Sequence, residues 1–165
     1  MSSFRIGVLS DVHGDTDSLR RCMQAMPDLN LCFFLGDVAG DAATIRLLLA
    51  QRTPVPLLWA VRGNCDFATT LPEKLTVEAA GRKIFATHGH LYGVGYGLER
   101  LLLAADAEKA DIVLFGHTHR PYCSFERGMF VLNPGAVAGN RSSFTHSASV
   151  LVLEEAGIHT EDVVL

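Results

Sequence analysis

Leu114-Phe115-Gly116-His117-Thr118-His119 is the stretch of this chain that most strongly indicates its fold. The residues from Ile112 to Phe115 are apolar without alternation and stop at a glycine, which predicts a short buried strand. Two histidines, one residue apart, follow at the carboxyl end of that strand, where open α/β sheets place their ligands. A single HxH pattern is a weak signal, but four other strand-like runs also end at a residue that can bind a metal ion.

The length and the composition favour one compact α/β domain over residues 1–165. The chain has 48% hydrophobic and 19% charged residues, unlike a disordered protein. The net charge of -4 argues against a nucleic-acid or membrane surface, because both require basic patches. No apolar run approaches the ~20 residues of a membrane span, and the N-terminus lacks the pattern of a signal peptide. We therefore expect a cytoplasmic protein.

The first predicted strand, from Phe4 to Leu9, leads into Asp11 and His13. Residues i and i+2 of an extended segment project to the same side, so this carboxylate and this imidazole could hold one cation. The alternative is an aspartate that caps the next helix and a histidine that faces solvent. Short motifs of this kind often occur in proteins without binding a metal ion. The pair alone does not decide between the two interpretations.

The next three strand-like runs end in the same way. These runs cover 29–35, 55–61 and 83–86, and the candidate ligands that follow them are Asp37, Asn64 and His88. A carboxylate, an amide oxygen and an imidazole all bind hard or borderline cations. Asp37 also has a structural explanation, as a turn aspartate before a helix.

The remaining segments predict helices and hairpins around these strands. Helices are expected from a cap at Asp15 or Thr16 to Pro27, over 42–51 and over 98–110; paired strands are expected over 76–79 and 83–86, 121–126 and 129–132, and 149–153 and 158–164. The glycines of the 93–97 segment predict a mobile loop at the substrate entrance. Asn133-Pro134-Gly135 predicts a turn that could also supply a backbone group near the site. The four cysteines lack CxxC spacing, so we expect most of them to be reduced and buried.

The motifs at the five strand ends, taken in chain order, resemble those of the calcineurin-like metallophosphoesterases. They are Asp11-x-His13, Gly36-Asp37, Gly63-Asn64, His88-Gly89 and Gly116-His117-Thr118-His119. The variant Gly63-Asn64-Cys65-Asp66 most resembles the compact bacterial and archaeal phosphodiesterase branch. The resemblance runs from about Phe4 to Gly135. It implies an α/β fold: a four-layer α-β-β-α sandwich of two mixed β-sheets flanked by helices.

The resemblance also implies two divalent metal ions per chain. By matching positions, the first ion would bind Asp11, His13, Asp37 and His119, and Asp37 would bridge to a second ion bound by Asn64, His88 and His117. All seven donors are oxygen or nitrogen, and such a site suits Mn²⁺, with Ni²⁺, Zn²⁺ or Fe²⁺ as alternatives. A water bridging two such ions becomes hydroxide near neutral pH and can attack phosphorus.

Four residues are candidates for direct roles in catalysis: Asn64, Cys65, Asp66 and His90. Many family members carry histidine after the asparagine, where it protonates the leaving oxygen, and Cys65 departs from that pattern. A thiol with a pKa near ~8.5 can donate a proton but lacks the reach of imidazole. Asp66 could position Cys65 or His117, or cap a turn. His90 could replace the missing acid, or be a polar residue near the mouth of the site.

These observations favour a dimetal-dependent phosphodiesterase that acts on a small-molecule phosphoester through a metal-bridging hydroxide. A phosphomonoesterase is a close alternative within the same class. A non-catalytic docking module is the alternative from another class, since some family relatives in eukaryotic trafficking complexes use the fold in that way. The full set of seven donors favours an enzyme. The sequence leaves a homo-oligomer open and predicts neither a nucleic-acid nor a membrane partner.

Overall fold

The computed structural model describes residues 3–38, 42–67, 69–139 and 145–165. The strands in these ranges are β1 (Phe4–Leu9), β2 (Leu31–Phe34), β3 (Leu57–Ala60), β4 (Lys74–Ala79), β5 (Arg82–Thr87), β6 (Ile112–Leu114), β7 (Tyr122–Glu126), β8 (Met129–Asn133), β9 (Ser147–Glu154) and β10 (Gly157–Val164). The helices are α1 (Thr16–Ala25), α2 (Ala42–Ala50) and α3 (Glu99–Ala107), and a 3₁₀ turn covers His90–Tyr92.

The strands form two mixed sheets of five strands each. The order is β10-β9-β1-β2-β3 in the first sheet and β4-β5-β6-β8-β7 in the second. In the first sheet β1, β2 and β3 are parallel while β9 and β10 are antiparallel, and in the second β5, β6 and β8 are parallel between antiparallel edges. The parallel strands of each sheet therefore end together, as parallel topology requires.

Three hydrophobic clusters separate the layers of the sandwich. Alternate residues of the inner strands, such as Ile6 and Val8 of β1 and Ile84 of β5, meet between the two sheets. The other face of the first sheet packs against α1 and α2, and the other face of the second sheet packs against α3. Strands buried on both faces read as continuous apolar runs, which is the pattern seen in the sequence. The predicted α-β-β-α sandwich is confirmed.

The first helix begins and ends where its sequence requires. The Asp15 side chain accepts a hydrogen bond from the backbone N–H of Ser18 at 3.0 Å, so Asp15 is the N-cap. The backbone is extended at Met26, directly before Pro27, because a residue that precedes proline disfavours the helical conformation.

The burial of the four cysteines differs from the sequence expectation. Only Cys22 and Cys32 are buried, whereas Cys65 is half-buried and Cys123 is exposed, so the expectation that most cysteines are buried is wrong. Cys123 lies on the edge strand β7, whose residues alternate between exposed and half-buried.

Among the helices of the described residues, none combines the length and apolar character needed to cross a bilayer.

Candidate metal centre

The seven predicted ligands all lie just beyond the carboxyl ends of strands. Four of them, Asp11, His13, Asp37 and Asn64, follow β1, β2 and β3 of the first sheet. The other three, His88, His117 and His119, follow β5 and β6 of the second sheet. The two sheets therefore contribute to one site, with every carboxylate and amide coming from the first sheet.

One group of donor atoms surrounds the Asp11 carboxylate. Its Oδ1 lies 3.0 Å from Nε2 of His119 and 3.5 Å from Nε2 of His13, and the two Nε2 atoms are 3.2 Å apart. Oδ2 of Asp37 lies 3.6 Å from Nε2 of His13. These are the four residues that the family resemblance assigns to the first ion.

A second group surrounds the imidazole of His88. Its Nε2 lies 3.0 Å from Oδ1 of Asn64, 3.2 Å from Nδ1 of His117 and 3.4 Å from Oδ2 of Asp37. Oδ2 of Asp37 is thus within 3.6 Å of donor atoms in both groups. The position of Asp37 between the groups is the one expected of a bridging carboxylate.

The donor set fits divalent cations. Ligand atoms about 2.1 Å from an ion lie about 3.0–3.4 Å from one another, and the distances within each group span this range. Oδ1 of Asp11 is buried and accepts no hydrogen bond from any described residue, although Nε2 of His119 is only 3.0 Å away. A carboxylate oxygen and an imidazole nitrogen at this distance are spaced as two ligands of one cation would be.

Backbone carbonyls orient two of the rings. Nδ1 of His88 lies 2.6 Å from the carbonyl oxygen of Leu35. Because a carbonyl oxygen can only accept a hydrogen bond, Nδ1 is the donor. Nδ1 of His119 lies 3.3 Å from the carbonyl of Gly139 in the same way. Each contact places the proton on Nδ1 and leaves Nε2 free as a ligand, which is a common arrangement around metal-binding histidines.

Five of the seven residues have left-handed backbone conformations. The φ angles are 56° at Asp11, 47° at His13, 53° at Asp37, 70° at His117 and 58° at His119. Positive φ is uncommon outside glycine, and such residues cluster at functional sites where the surrounding structure holds them in place. The conformation turns each chain segment sharply at the end of its strand, so that several side chains converge.

The two carboxylates remain ionised in this environment. Burial alone would raise the pKa of Asp11, but the neighbouring rings of His119 and His13 hold it far below its usual value. Burial would also raise the pKa of Asp37, and the His88 ring outweighs that effect. Two buried negative charges close together are costly unless cations offset them, which agrees with the donor geometry.

Asp66 connects the loops that carry Asp37 and Asn64. Its carboxylate accepts backbone N–H bonds from Asp37 at 2.7 Å, Val38 at 2.9 Å and Gly63 at 2.7 Å. The sequence interpretation had Asp66 positioning Cys65 or His117, or capping a turn. The bond from Gly63 closes the turn from Gly63 to Asp66, which agrees with the expected turn cap, and the bonds from Asp37 and Val38 add a positioning role across the ends of β2 and β3.

Two further positioning residues were not identified from the sequence. The Ser10 hydroxyl donates to Oδ2 of Asp11 at 2.6 Å. The Asn133 amide donates to the Gly116 carbonyl and to the Thr118 hydroxyl, both at 3.0 Å, and so fixes the loop that carries the paired histidines. Its Oδ1 also accepts from the backbone N–H of Gly135 at 2.9 Å, so the side chain of Asn133 forms the expected turn with Pro134 and Gly135. The sequence signal available for this second role was the polar residue at the end of a buried strand next to β6.

Cys65 and His90, the two candidate acids, differ in their surroundings. Cys65 lies at the site: its backbone N–H donates to Oδ1 of Asp37 at 2.8 Å, and burial together with the Asp37 charge raises the pKa of its thiol. The His90 ring lies beside the second group, 5.3 Å from the His88 ring and 6.1 Å from the His117 ring between centroids. Burial and the neighbouring His88 ring lower the pKa of His90.

Gly63 is a position where the site tolerates no side chain. A Cβ there would overlap with Oδ1 and the backbone nitrogen of Asp37 and lie 2.7 Å from its Cγ. We expect Gly63→Ala to cost about 1–3 kcal/mol and to lower the Tm of the metal-free protein by about 3–10 °C, because overpacking forces the Asp37 loop to move. The measurement is thermal unfolding followed by circular dichroism. Gly95→Ala is the matched control, since a Cβ at Gly95 meets nothing within 4 Å, and equal Tm values for the two variants would contradict the prediction.

The fold and the donor set define a metallophosphoesterase-type site, and comparison with known proteins gives the same class. The Calcineurin-like phosphoesterase superfamily domain matches residues 4–156. The chain therefore belongs to this superfamily of metal-dependent hydrolases. It is 33% identical over 149 residues to "Probable metallophosphoesterase YsnB" of Bacillus subtilis (strain 168), covering 89% of this chain and 83% of that one. It is 28% identical over 160 residues to "Phosphodiesterase YfcE" of Escherichia coli (strain K12), covering 82% of each.

Solved structures agree with the architecture. The crystal structure of a conserved protein from Streptococcus pneumoniae TIGR4, described as a predicted phosphoesterase, superposes with a TM-score of 0.81 at 27% identity and covers 99% of this chain and 90% of that one. The Vps29 single mutant of Entamoeba histolytica superposes with a TM-score of 0.72 at 21% identity, covering 98% and 99%. The second likeness concerns the fold alone.

Proposed function

We propose that this protein hydrolyses phosphodiesters with two divalent cations. The observation that carries the proposal is the position of Asp37, whose Oδ2 lies 3.6 Å from a donor of one group and 3.4 Å from a donor of the other. A carboxylate placed in this way offsets the mutual repulsion of two cations. When bound, such cations lower the pKa of water to near neutrality and offset charge on phosphoryl oxygens.

The residues of this chain would divide the work as follows. Asp11, His13, Asp37 and His119 would hold the first cation, and Asn64, His88 and His117 would complete the second with Asp37. Ser10, Asp66 and Asn133 keep the carboxylates and the histidine loop in position through their hydrogen bonds. The Cys65 thiol, next to Asn64, is the candidate donor of a proton to the leaving oxygen.

A diester is favoured over a monoester as the substrate because the relative YfcE carries the name phosphodiesterase. The direct test compares bis(p-nitrophenyl) phosphate with p-nitrophenyl phosphate at saturating metal. We expect the larger kcat/KM for the diester. Faster hydrolysis of the monoester would favour the phosphomonoesterase alternative, and hydrolysis of neither would leave the docking module as the better interpretation.

Mn²⁺ is expected to activate the protein more than Mg²⁺ does. The donor set mixes carboxylate, amide and imidazole groups, which suits Mn²⁺ better than a thiolate site would. Mg²⁺ gives up its bound waters reluctantly and is rarely held by protein ligands alone. Ni²⁺, Zn²⁺ or Fe²⁺ can bind more tightly than Mn²⁺ or replace it, since cellular supply decides occupancy. The measurement is the rate of diester hydrolysis by metal-free protein titrated with each cation to saturation. A higher maximal rate with Mg²⁺ would contradict this prediction.

A further inference from the structure

A cavity of 540 Å³ opens beside the candidate metal centre. His117 and Thr118 line it, together with residues of the loop before α3 and of β7. Because His117 is also a predicted ligand, the cavity and the site share a wall. A larger cavity of 810 Å³ lies at the other end of the strands, around the β4–β5 and β9–β10 turns, and none of the seven predicted ligands lines it.

The walls of the smaller cavity, which we call the side cavity, are mainly apolar. Val94, Leu98, Phe115 and Tyr122 line it and belong to the hydrophobic cluster between α3 and the second sheet. The Tyr122 hydroxyl donates to Glu126 at 2.6 Å, so this polar group already has a partner. The Phe115 and Tyr122 rings lie 6.2 Å apart between centroids, and Tyr122 is the half-buried one of the two, so its ring is the aromatic surface open to a ligand.

Arg120 adds one cationic group to this apolar lining. The residue is exposed and lines the side cavity, and its guanidinium forms no ion pair with any of the described residues. A guanidinium is planar and stacks on aromatic faces, whereas an aliphatic ligand gains little from such a neighbour.

We propose that the side cavity binds a planar aromatic group that is attached to the scissile phosphate. The proposal rests on the proposed function, since the phosphate would lie at the metal centre while its ring enters past His117. The volume is in the range of small-ligand sites, and a few polar groups in an apolar lining are typical of them. An aryl ring and a nucleobase share this chemistry, and both stack on aromatic and guanidinium planes.

The test measures binding of phosphonates that cannot be hydrolysed. Phenylphosphonate and methylphosphonate carry the same anionic group and differ in the ring. Isothermal titration calorimetry of the Mn²⁺-loaded protein should give a Kd about tenfold or more lower for phenylphosphonate, because burial of a ring is worth at least that factor. The methylenephosphonate analogues of uridine 5′-phosphate and ribose 5-phosphate, in which a CH₂ group replaces the ester oxygen, apply the same comparison to a nucleobase.

Leu98→Asp is the informative variant. It places a carboxylate in the apolar wall, at a half-buried position that precedes α3 and where leucine makes no side-chain cap bond. The phenyl-to-methyl ratio of affinities should fall to about one. Leu103→Asp is the matched control, because Leu103 is exposed on the same helix and does not line the side cavity. It should keep the wild-type ratio.

The outcomes separate this inference from the proposed function. Equal affinity of the wild type for all matched pairs, in a protein that hydrolyses diesters, would overturn the side cavity as a ring site and leave the proposed function standing. A preference for phenylphosphonate alone supports an aryl ester, and a preference for the uridine phosphonate over the ribose phosphonate supports a nucleotide. Equal ratios in Leu98→Asp and Leu103→Asp would overturn the assignment of the ring to this cavity. Failure to hydrolyse any ester would overturn the proposed function itself.

Discussion

His119→Ala is expected to lower kcat/KM for diesters by more than about 100-fold and to reduce the number of divalent ions bound per chain from about two. Nε2 of His119 lies 3.0 Å from Oδ1 of Asp11 and 3.2 Å from Nε2 of His13, in a buried position that water could not fill equivalently. Metal content after loading and gel filtration is measured by elemental analysis, and the activity is measured on the same samples.

His159→Ala is the matched control for this variant. His159 is exposed on β10, and its imidazole belongs to neither group of donor atoms, so metal content and activity should stay at the wild-type level. A wild-type protein that binds no divalent ion after loading would contradict the two-ion hypothesis. So would a His119→Ala protein that keeps both ions and full activity.

The second large effect is a steep dependence of the rate on the leaving group. A well-placed general acid contributes about 10²–10⁴-fold, and most of that benefit falls on poor leaving groups. Burial raises the pKa of the Cys65 thiol, which makes it a weak acid. The pKa of His90 is lowered, so fewer of its rings carry the proton that an acid must donate. We therefore expect kcat/KM to fall by about 10²-fold or more from aryl to alkyl diesters of equal size.

Two variants of Cys65 test the cause of that dependence. Cys65→Ala should change hydrolysis of aryl diesters little, because phenolates leave without a proton. Cys65→His should raise the rate for alkyl diesters and flatten the series if the ring reaches the leaving oxygen. A flat series in the wild type would mean that an efficient acid is already present. His90→Ala then identifies or excludes the neighbouring ring as that acid.

The strand ends explain why so much of the fold and site could be predicted from the sequence. Asp11 and Asp37 each follow an apolar run of the first sheet and His88 follows one of the second, and parallel strands bring such positions to one edge of each sheet wherever they lie in the chain. The predicted strands 29–35 and 55–61 are shortened to Leu31–Phe34 and Leu57–Ala60 at their ends. Boundaries of this kind depend on pairing between strands, which a local pattern does not contain.

The parts that could not be predicted depend on contacts between distant segments. The Asp66 bonds to Asp37 and Val38 join residues 29 and 28 positions apart, and the side cavity forms only when β7 packs beside the loop before α3. Neither has a short sequence signal. Four statements stay predictions. They are that the seven donors bind two ions, that the ion is Mn²⁺, that residues 1–165 form one domain and that the protein is cytoplasmic.

The division of the ligands between the two sheets has a consequence for the lifetime of the protein. Asp11 and His13 extend from the first sheet and His119 from the second, so one bound ion would tie the sheets together at the open end of the sandwich. Anything that binds only the native state adds to its stability, and a chelator withdraws that contribution. A shortage of the metal ion would then weaken the contact between the two sheets at this end and expose the chain to proteases. The supply of the ion would thereby regulate the abundance of the protein as well as its activity.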